Sequence, residues 1–291
     1  MIDKPPDMTS AALVAFVKRL LNAGKVGHAG TLDPFATGVM ICCINKGTRL
    51  ADFFLKDRKT YEAVLCLGEA TDTQDKTGKA VLRRVVPDFS METLENAFKA
   101  FRGSIDQLPP VYSALKHNGV PLYKLARAGK PVRKPARKVF ISKLEILDVC
   151  LPEIRFEVTC SAGTYVRTLG ADIGEVLGCG GHLKALRRIE SSGFSIDEAV
   201  SLSEIKALAL SGDLGKRMIS MRDALKNLPE HLVSDEQVES IKNGVLITQA
   251  ELTGENGQEG LVKAVDGKGR LVAIFRKVRG LPHYQYCCVL V

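Results

Sequence analysis

Residues 27–38 read Gly27-His28-Ala29-Gly30-Thr31-Leu32-Asp33-Pro34-Phe35-Ala36-Thr37-Gly38. One carboxylate, Asp33, stands among glycines and is followed by proline, which pushes it into an extended backbone. Glycines let a ligand or a neighbouring backbone approach closely. On the residues alone the stretch is either an ordinary Asp-Pro turn or a device that aims a single carboxylate into a cleft. Both readings stand at this point.

Upstream, Thr9 or Ser10 caps a helix whose apolar residues Leu13, Val14, Phe16, Val17, Leu20 and Leu21 share one face, and Gly24 stops it. Downstream, the run Val39 to Ile44 is apolar enough for a buried strand. Tyr61 to Leu67 reads as a strand with Tyr61, Ala63, Leu65 and Leu67 on one side, and Thr71 to Gly78 as a turn. A second amphipathic helix spans Ser90 to Phe101. Strands follow near Val139–Val149 and Ile154–Cys160, the latter with clear alternation. Helices are predicted over Thr168–Leu177 and His182–Ile189. The rhythm is too irregular for repeated βαβ units, so the fold class is α+β. Leu228-Pro229-Glu230 marks a boundary between a first domain, 1–228, and a second, 229–291. The second holds one short helix (Ser234 to Lys242) and four strands, at Val245–Thr248, Gly260–Val265, Leu271–Val278 and Tyr284–Val291. That pattern predicts a small barrel or sandwich.

The composition, 45% hydrophobic and 25% charged over 291 residues, is that of a soluble globular protein and excludes a disordered, collagen-like or coiled-coil chain. No stretch approaches the roughly 20 apolar residues that span a bilayer. Met1 to Asp7 shows neither a signal region nor a transit peptide, so a cytoplasmic location is expected. The net charge is +8. Between Asp106 and Glu145 lie no acids but nine bases: Lys116, Lys124, Arg127, Lys130, Arg133, Lys134, Arg137, Lys138 and Lys143. With Tyr112, Tyr123 and many turn formers, this segment reads either as a solvated face or as an exposed arm that grips phosphates and stacks on bases.

The eight cysteines include two adjacent pairs and no Cys-x-x-Cys, so reduced core thiols fit better than zinc or a disulfide framework. There is no phosphate-binding Gly-x-x-x-x-Gly-Lys-Ser/Thr loop, and the five histidines are scattered. Asp72 to Gly78 lacks the ligand spacing of a calcium loop.

The stretch from Gly27 to Gly38 resembles the active-site motif of the TruB-type tRNA pseudouridine-55 synthases. The likeness continues through Lys59-Thr60-Tyr61, Thr71-Asp72-Thr73-Gln74-Asp75 and Pro109-Pro110-Val111-Tyr112-Ser113-Ala114. It extends through Ser161-Ala162-Gly163-Thr164-Tyr165-Val166-Arg167 and His182-Leu183-Lys184-Ala185-Leu186-Arg187-Arg188, in the family's order over nearly the whole first 195 residues. The tail resembles the PUA RNA-binding domain, with weaker motifs.

The resemblance implies an α+β catalytic domain around a mixed sheet, with residues 106–144 inserted as an RNA-gripping thumb. It implies isomerisation of a flipped-out uridine in the tRNA T-loop, without cofactor or metal. By that resemblance Asp33 is the nucleophile, toward ribose or base, and Arg167 pairs with it and keeps it ionised. Tyr61 stacks on the base and helps remove the carbon-5 proton. Tyr165 borders the base, Leu186 forms an apolar wall, and His28 enters the T-loop. Lys116, Arg127, Lys130 and Arg133 contact RNA. The expected partner is the tRNA T-arm stem-loop, with no membrane, no obligate protein partner and a monomeric enzyme. Two other readings stand beside this one. A guide-RNA-dependent, dyskerin-like catalytic subunit is disfavoured by the lack of long basic extensions, and a non-catalytic tRNA-binding or folding protein by the joint presence of Asp33, Tyr61 and Arg167. Asp7 stands where the family usually has glycine, and the chain starts close to that motif, so the first strand is expected to be short or frayed.

Overall fold

The computed structural model of the chain describes residues 1–248 and 260–291. Alternating burial of Ile154, Phe156, Val158 and Cys160 puts one side of a strand in the core, and strands pair with it on both sides. The chain runs β1 (Ile2–Lys4), α1 (Ser10–Leu20), β2 (Val26–His28), β3 (Thr37–Met40), β4 (Cys42–Ile44), α2 (Ala51–Leu55), β5 (Lys59–Leu67), β6 (Glu69–Thr71), β7 (Ala80–Arg83), α3 (Met91–Lys99) and β8 (Gly103–Gln107). Next come β9 (Lys116–His117), β10 (Val120–Pro121), α4 (Leu122–Arg127), β11 (Arg137–Cys150), β12 (Glu153–Cys160), α5 (Val166–Val176), β13 (Gly181–Ser191), β14 (Phe194–Ser195) and α6 (Leu202–Ser211). The last part holds β15 (Glu230–Val233), α7 (Asp235–Lys242), β16 (Gly260–Asp266), β17 (Leu271–Lys277) and β18 (Gln285–Val289).

The central sheet has eight strands in the order β1-β3-β13-β5-β12-β11-β8, with β14 appended to β13. Its β13–β3 pair is parallel and the others antiparallel, so the sheet is mixed. Helices α3 and α5 cover it, and Phe98 meets Phe156 edge-on with ring centroids 5.4 Å apart. The expected α+β architecture is therefore present.

Three expectations are corrected. His182–Ile189 is not a helix but the middle of β13. Leu183 and Leu186 imitate a helical face because a bulge between Leu183 and Ala185 inserts one residue into the strand's alternation. Pairing with β5 on one side and β3 on the other overrides the helix propensity of this Leu/Lys/Ala/Arg stretch. The apolar run after Gly38 is two strands: β3 joins the central sheet, while β4 turns away to pair with β2. The break falls at Ile41, whose carbonyl accepts from the Ala29 amide. Among the described residues, 245–248 form an isolated bridge from Thr248 to His283 rather than a strand: Ile247 is buried, but Val245 and Leu246 stay exposed.

The first strand is short, three residues, but firmly held. Ile2 and Lys4 are buried, and Asp3 binds Arg187 through both carboxylate oxygens at 2.8 and 3.1 Å. Asp7 adopts a left-handed φ of 59°, the conformation that glycine takes most readily and that Asp tolerates. All eight cysteines are free; Cys43, Cys160 and Cys179 are core thiols, whereas Cys150 and Cys287 fall on solvent-facing strand positions.

Beyond residue 228, the described residues form a four-stranded sheet in the order β15-β16-β17-β18. The sheet shares a core with earlier parts of the chain, in which Val265, Leu271, Ile274 and Leu290 pack with Ala29, Ile41, Leu50, Phe54 and Phe194. Lys46 and Arg49 donate to the carbonyls of Leu290 and Val289 across the same junction. Among the described residues no helix is long and apolar enough to cross a membrane.

Candidate active site

Asp33 lies in the loop between β2 and β3, and the flanking residues fix it. Leu32 and Phe35 plunge into the core. The Ser10 hydroxyl both donates to the Leu32 carbonyl and accepts from its amide, at 3.0 and 2.9 Å, while Thr9 caps α1. The buried Lys4 ammonium donates to the Pro34 and Pro5 carbonyls at 3.1 and 2.8 Å. Two buried apolar anchors and two polar struts thus leave the Asp33 carboxylate half-exposed at the loop's tip.

Arg167, in the first turn of α5 and 3% exposed, reaches that tip. Its Nε lies 2.8 Å from Asp33 Oδ2 and its Nη2 3.4 Å from Oδ1. Nη1 lies 3.3 Å from Asp75 Oδ2 and donates to the Thr73 carbonyl at 2.6 Å, and Nη2 donates to the Tyr112 carbonyl at 2.8 Å. One guanidinium therefore serves two carboxylates and two carbonyls. Asp75 is fully enclosed. Its Oδ1 accepts from the Thr73 hydroxyl, the Thr77 amide and the Thr77 hydroxyl at 2.9, 2.9 and 2.6 Å. The turn that carries it docks on β13 through the Leu183 amide to the Gln74 carbonyl and the Lys76 amide to the Leu183 carbonyl.

The electrostatics refine the expected pairing. Burial raises the Asp33 carboxyl above its ordinary value, and the charge of Asp75 pushes the same way, whereas Arg167 and Lys4 pull it down. Arg167 thus opposes the desolvation of Asp33 without overcoming it. Burial brings the Lys4 ammonium down to about 8.

Tyr61 stands on β5 against the core, packed on the cluster that contains Leu186, Leu32 and Phe35. Leu186 is buried and sits opposite Ala63, two residues from Tyr61. Burial pushes the Tyr61 hydroxyl up, and Arg188 draws it back. His28 ends β2; its buried Nδ1 lacks a hydrogen-bond partner among the described residues, and burial with the charge of Arg188 lowers its pKa, favouring neutral imidazole. Tyr165 precedes α5, and the buried Gln107 clamps it, donating to its carbonyl at 3.0 Å and accepting from its amide at 2.7 Å.

The basic segment leaves the sheet after β8 and returns as β11. Both ends meet the site: Tyr112 through its carbonyl on Arg167, and Arg137 through the Gly163 carbonyl and a guanidinium 4.7 Å from the Tyr165 ring centroid. Lys116, Arg127, Lys130 and Arg133 lie farther along, exposed and without a carboxylate partner among the described residues, so they are free to meet an anion. None of the four bonds to the Asp33 cluster.

Sequence reasoning missed Asp75, which sat in a stretch read as a plain turn. Its signal was a carboxylate flanked by threonines two residues away on each side, a spacing that closes hydroxyls onto one oxygen. It also missed Lys4, Ser10 and Gln107, whose polar side chains are wholly buried. No group of three His, Cys, Asp or Glu side chains among the described residues could hold a metal ion.

Comparison with known proteins supplies an independent view. A model of the TruB family pseudouridylate synthase N-terminal domain matches residues 18–166, and one of the tRNA pseudouridylate synthase B C-terminal domain matches residues 167–231. The tRNA pseudouridine synthase B of Syntrophotalea carbinolica is 44% identical over 245 residues, 84% of this chain and 80% of that one. That of Aromatoleum aromaticum is 42% identical over 274 residues, 94% and 86% of the two chains. Among solved structures, a chain of a Cbf5-Nop10-Gar1 complex superposes over all of this chain and 84% of its own, with a TM-score of 0.77 at 26% identity.

Proposed function

The chain belongs to the TruB family of pseudouridylate synthases, and from that premise we propose that it isomerises the uridine at position 55 of the tRNA T-loop, as a monomer and without a guide RNA. The observation that carries the reading is the Asp33–Arg167–Asp75 cluster, a half-exposed carboxylate gripped by a guanidinium that a second, enclosed carboxylate holds in place. Such a group is a preorganised nucleophile beside a cleft.

In this reading the base leaves the T-loop and lies between Tyr61, Tyr165 and the apolar wall of Leu186. The Asp33 carboxylate attacks while the glycosidic bond breaks. The uracil turns, carbon-5 bonds to the ribose, and the bond to Asp33 breaks again to free the carboxylate; carbon-5 loses its proton, with Tyr61 beside it to take part, and N1 gains one. No atom is gained or lost overall. Arg167 keeps the carboxylate aimed. His28, neutral and half-buried, supplies an uncharged polar edge to the displaced nucleotide. Lys116, Arg127, Lys130 and Arg133 take the phosphates of the T-arm, and residues 229–291 act as a PUA-like RNA-binding module. Relatives at 42–44% identity bear a tRNA-modifying name, against 26% for the Cbf5 chain of a protein complex, which favours the unguided reading.

The test is incubation of the purified protein with unmodified tRNA, and separately with a T-arm stem-loop alone, followed by carbodiimide mapping of pseudouridine. Conversion of both without added RNA, metal or nucleotide is expected. Conversion only in the presence of a guide RNA or partner proteins overturns the unguided reading, and no conversion under any condition overturns catalysis.

A further inference from the structure

Among the described residues Arg188 is the largest fully buried side chain, 1% exposed, and no carboxylate of theirs lies within ion-pair distance of it. Burying a guanidinium without an acid is costly, so the site must use the charge or the geometry. Its charge even works against its neighbours, lowering the ammonium groups of Lys59 and Lys4 and the imidazole of His28.

Its position is specific. On β13 it pairs with Tyr61 of β5 on one side and Gly38 of β3 on the other. Residues directly opposite in a sheet project to the same face, so Arg188 and Tyr61 share one. From there the side chain spans the Asp33 loop: Nε donates to the Val39 carbonyl after it at 2.7 Å, and Nη2 to the Gly30 carbonyl before it at 3.1 Å. Gly38 closes the arrangement. It has a φ of 105°, and a Cβ there would lie 2.2 Å from the Arg188 carbonyl oxygen. The backbone of the loop's end is thus pressed onto Arg188 as only glycine permits.

We propose that Arg188 is a positioning residue that couples Tyr61 to the Asp33 loop, so that tyrosine and nucleophile act as one unit. The inference rests on the reading of Tyr61 as a group that takes part in carbon-5 deprotonation. Tyr61 sits on β5 and Asp33 on the loop between β2 and β3, and Arg188 is a side chain that touches both ends of that loop while lying beside the tyrosine. Its charge draws the Tyr61 hydroxyl back against the effect of burial.

A double-mutant cycle in the full-length protein tests this, with single-turnover rates at saturating tRNA for Tyr61→Phe, Arg188→Gln and the pair, and RNA affinity and melting temperature in parallel. Arg188→Gln should slow the chemical step about 100-fold, the scale of a small misplacement of reacting groups, with RNA affinity unchanged. In the Tyr61→Phe background the same substitution should cost markedly less. It should also enlarge the isotope effect of 5-deuterated uridine, because proton removal becomes slower, which loss of general stability would not do. Arg188→Lys, which keeps the charge but loses the fork, should recover only part of the rate, and it replaces Arg188→Gln in the cycle if that variant does not fold. Multiplicative losses with an unchanged isotope effect overturn the coupling. Near-normal activity of Tyr61→Phe alone overturns instead the reading of Tyr61 on which the inference rests.

Discussion

Arg167→Ala removes a guanidinium that lies 2.8 Å from one oxygen of Asp33 and 3.3 Å from Asp75 and that donates to two carbonyls. Breaking a buried ion pair by removing one partner costs about 3–5 kcal/mol. Asp75 is enclosed and bears that cost, whereas the Asp33 side chain is 35% exposed and recovers part of its hydration. A loss of about 3–5 kcal/mol in all is therefore expected, inside the ~5–15 kcal/mol of a typical fold, so the variant stays folded at room temperature but melts earlier. Chemistry should suffer more than binding. Burial already raises the Asp33 carboxyl and Arg167 draws it down; without the guanidinium it rises further, and the acidic limb of the rate profile moves to higher pH. Single-turnover release of tritium from carbon-5 of the uridine, at saturating tRNA across a pH series, should show a rate at least about 100-fold lower at neutral pH. A melting temperature like that of the wild type, or a pure affinity defect with an unchanged saturated rate, would refute the reasoning.

Three further outcomes follow from the same geometry. Asp75→Asn keeps an oxygen for the threonine hydroxyls but removes the charge that pushes Asp33 upward, so the acidic limb should move to lower pH even as the maximal rate falls, which the same pH series reads. Neutralising Arg127, Lys130, Arg133 and Lys134 together should weaken tRNA binding and flatten the plot of log affinity against log salt by about 0.7–0.9 per lost phosphate contact; an unchanged slope returns the arm to a solvated face. Ile274→Ala, at a wholly buried position in the core shared by the two sheets, should lower stability by about 2–5 kcal/mol in urea titration, and unfolding of the second sheet alone would show that the junction is not cooperative.

Much of this was legible in the residues. The strand bearing Tyr61 follows from periodicity, the helix expected from Thr168 starts two residues earlier, at Val166, and the Asp33 loop follows from motif order. β13 was not, because its bulge places Leu183 and Leu186 at helical spacing, and only pairing on both sides shows that they belong to a strand. Asp75 hid for a different reason: its role depends on Arg167, 92 residues away, and a local reading sees only a turn. Arg188 escaped because buried guanidinium groups are rare, and nothing in a linear pattern marks a cation that bonds to carbonyls rather than to acids.

The central claim is that the Asp33 carboxylate performs the chemistry. Asp33→Asn preserves the shape of the side chain but removes the nucleophile. Tritium release from carbon-5-labelled tRNA, measured together with filter binding, tests it directly. The account predicts binding close to that of the wild type and no detectable turnover; turnover at about a tenth of the wild-type rate or more would contradict it.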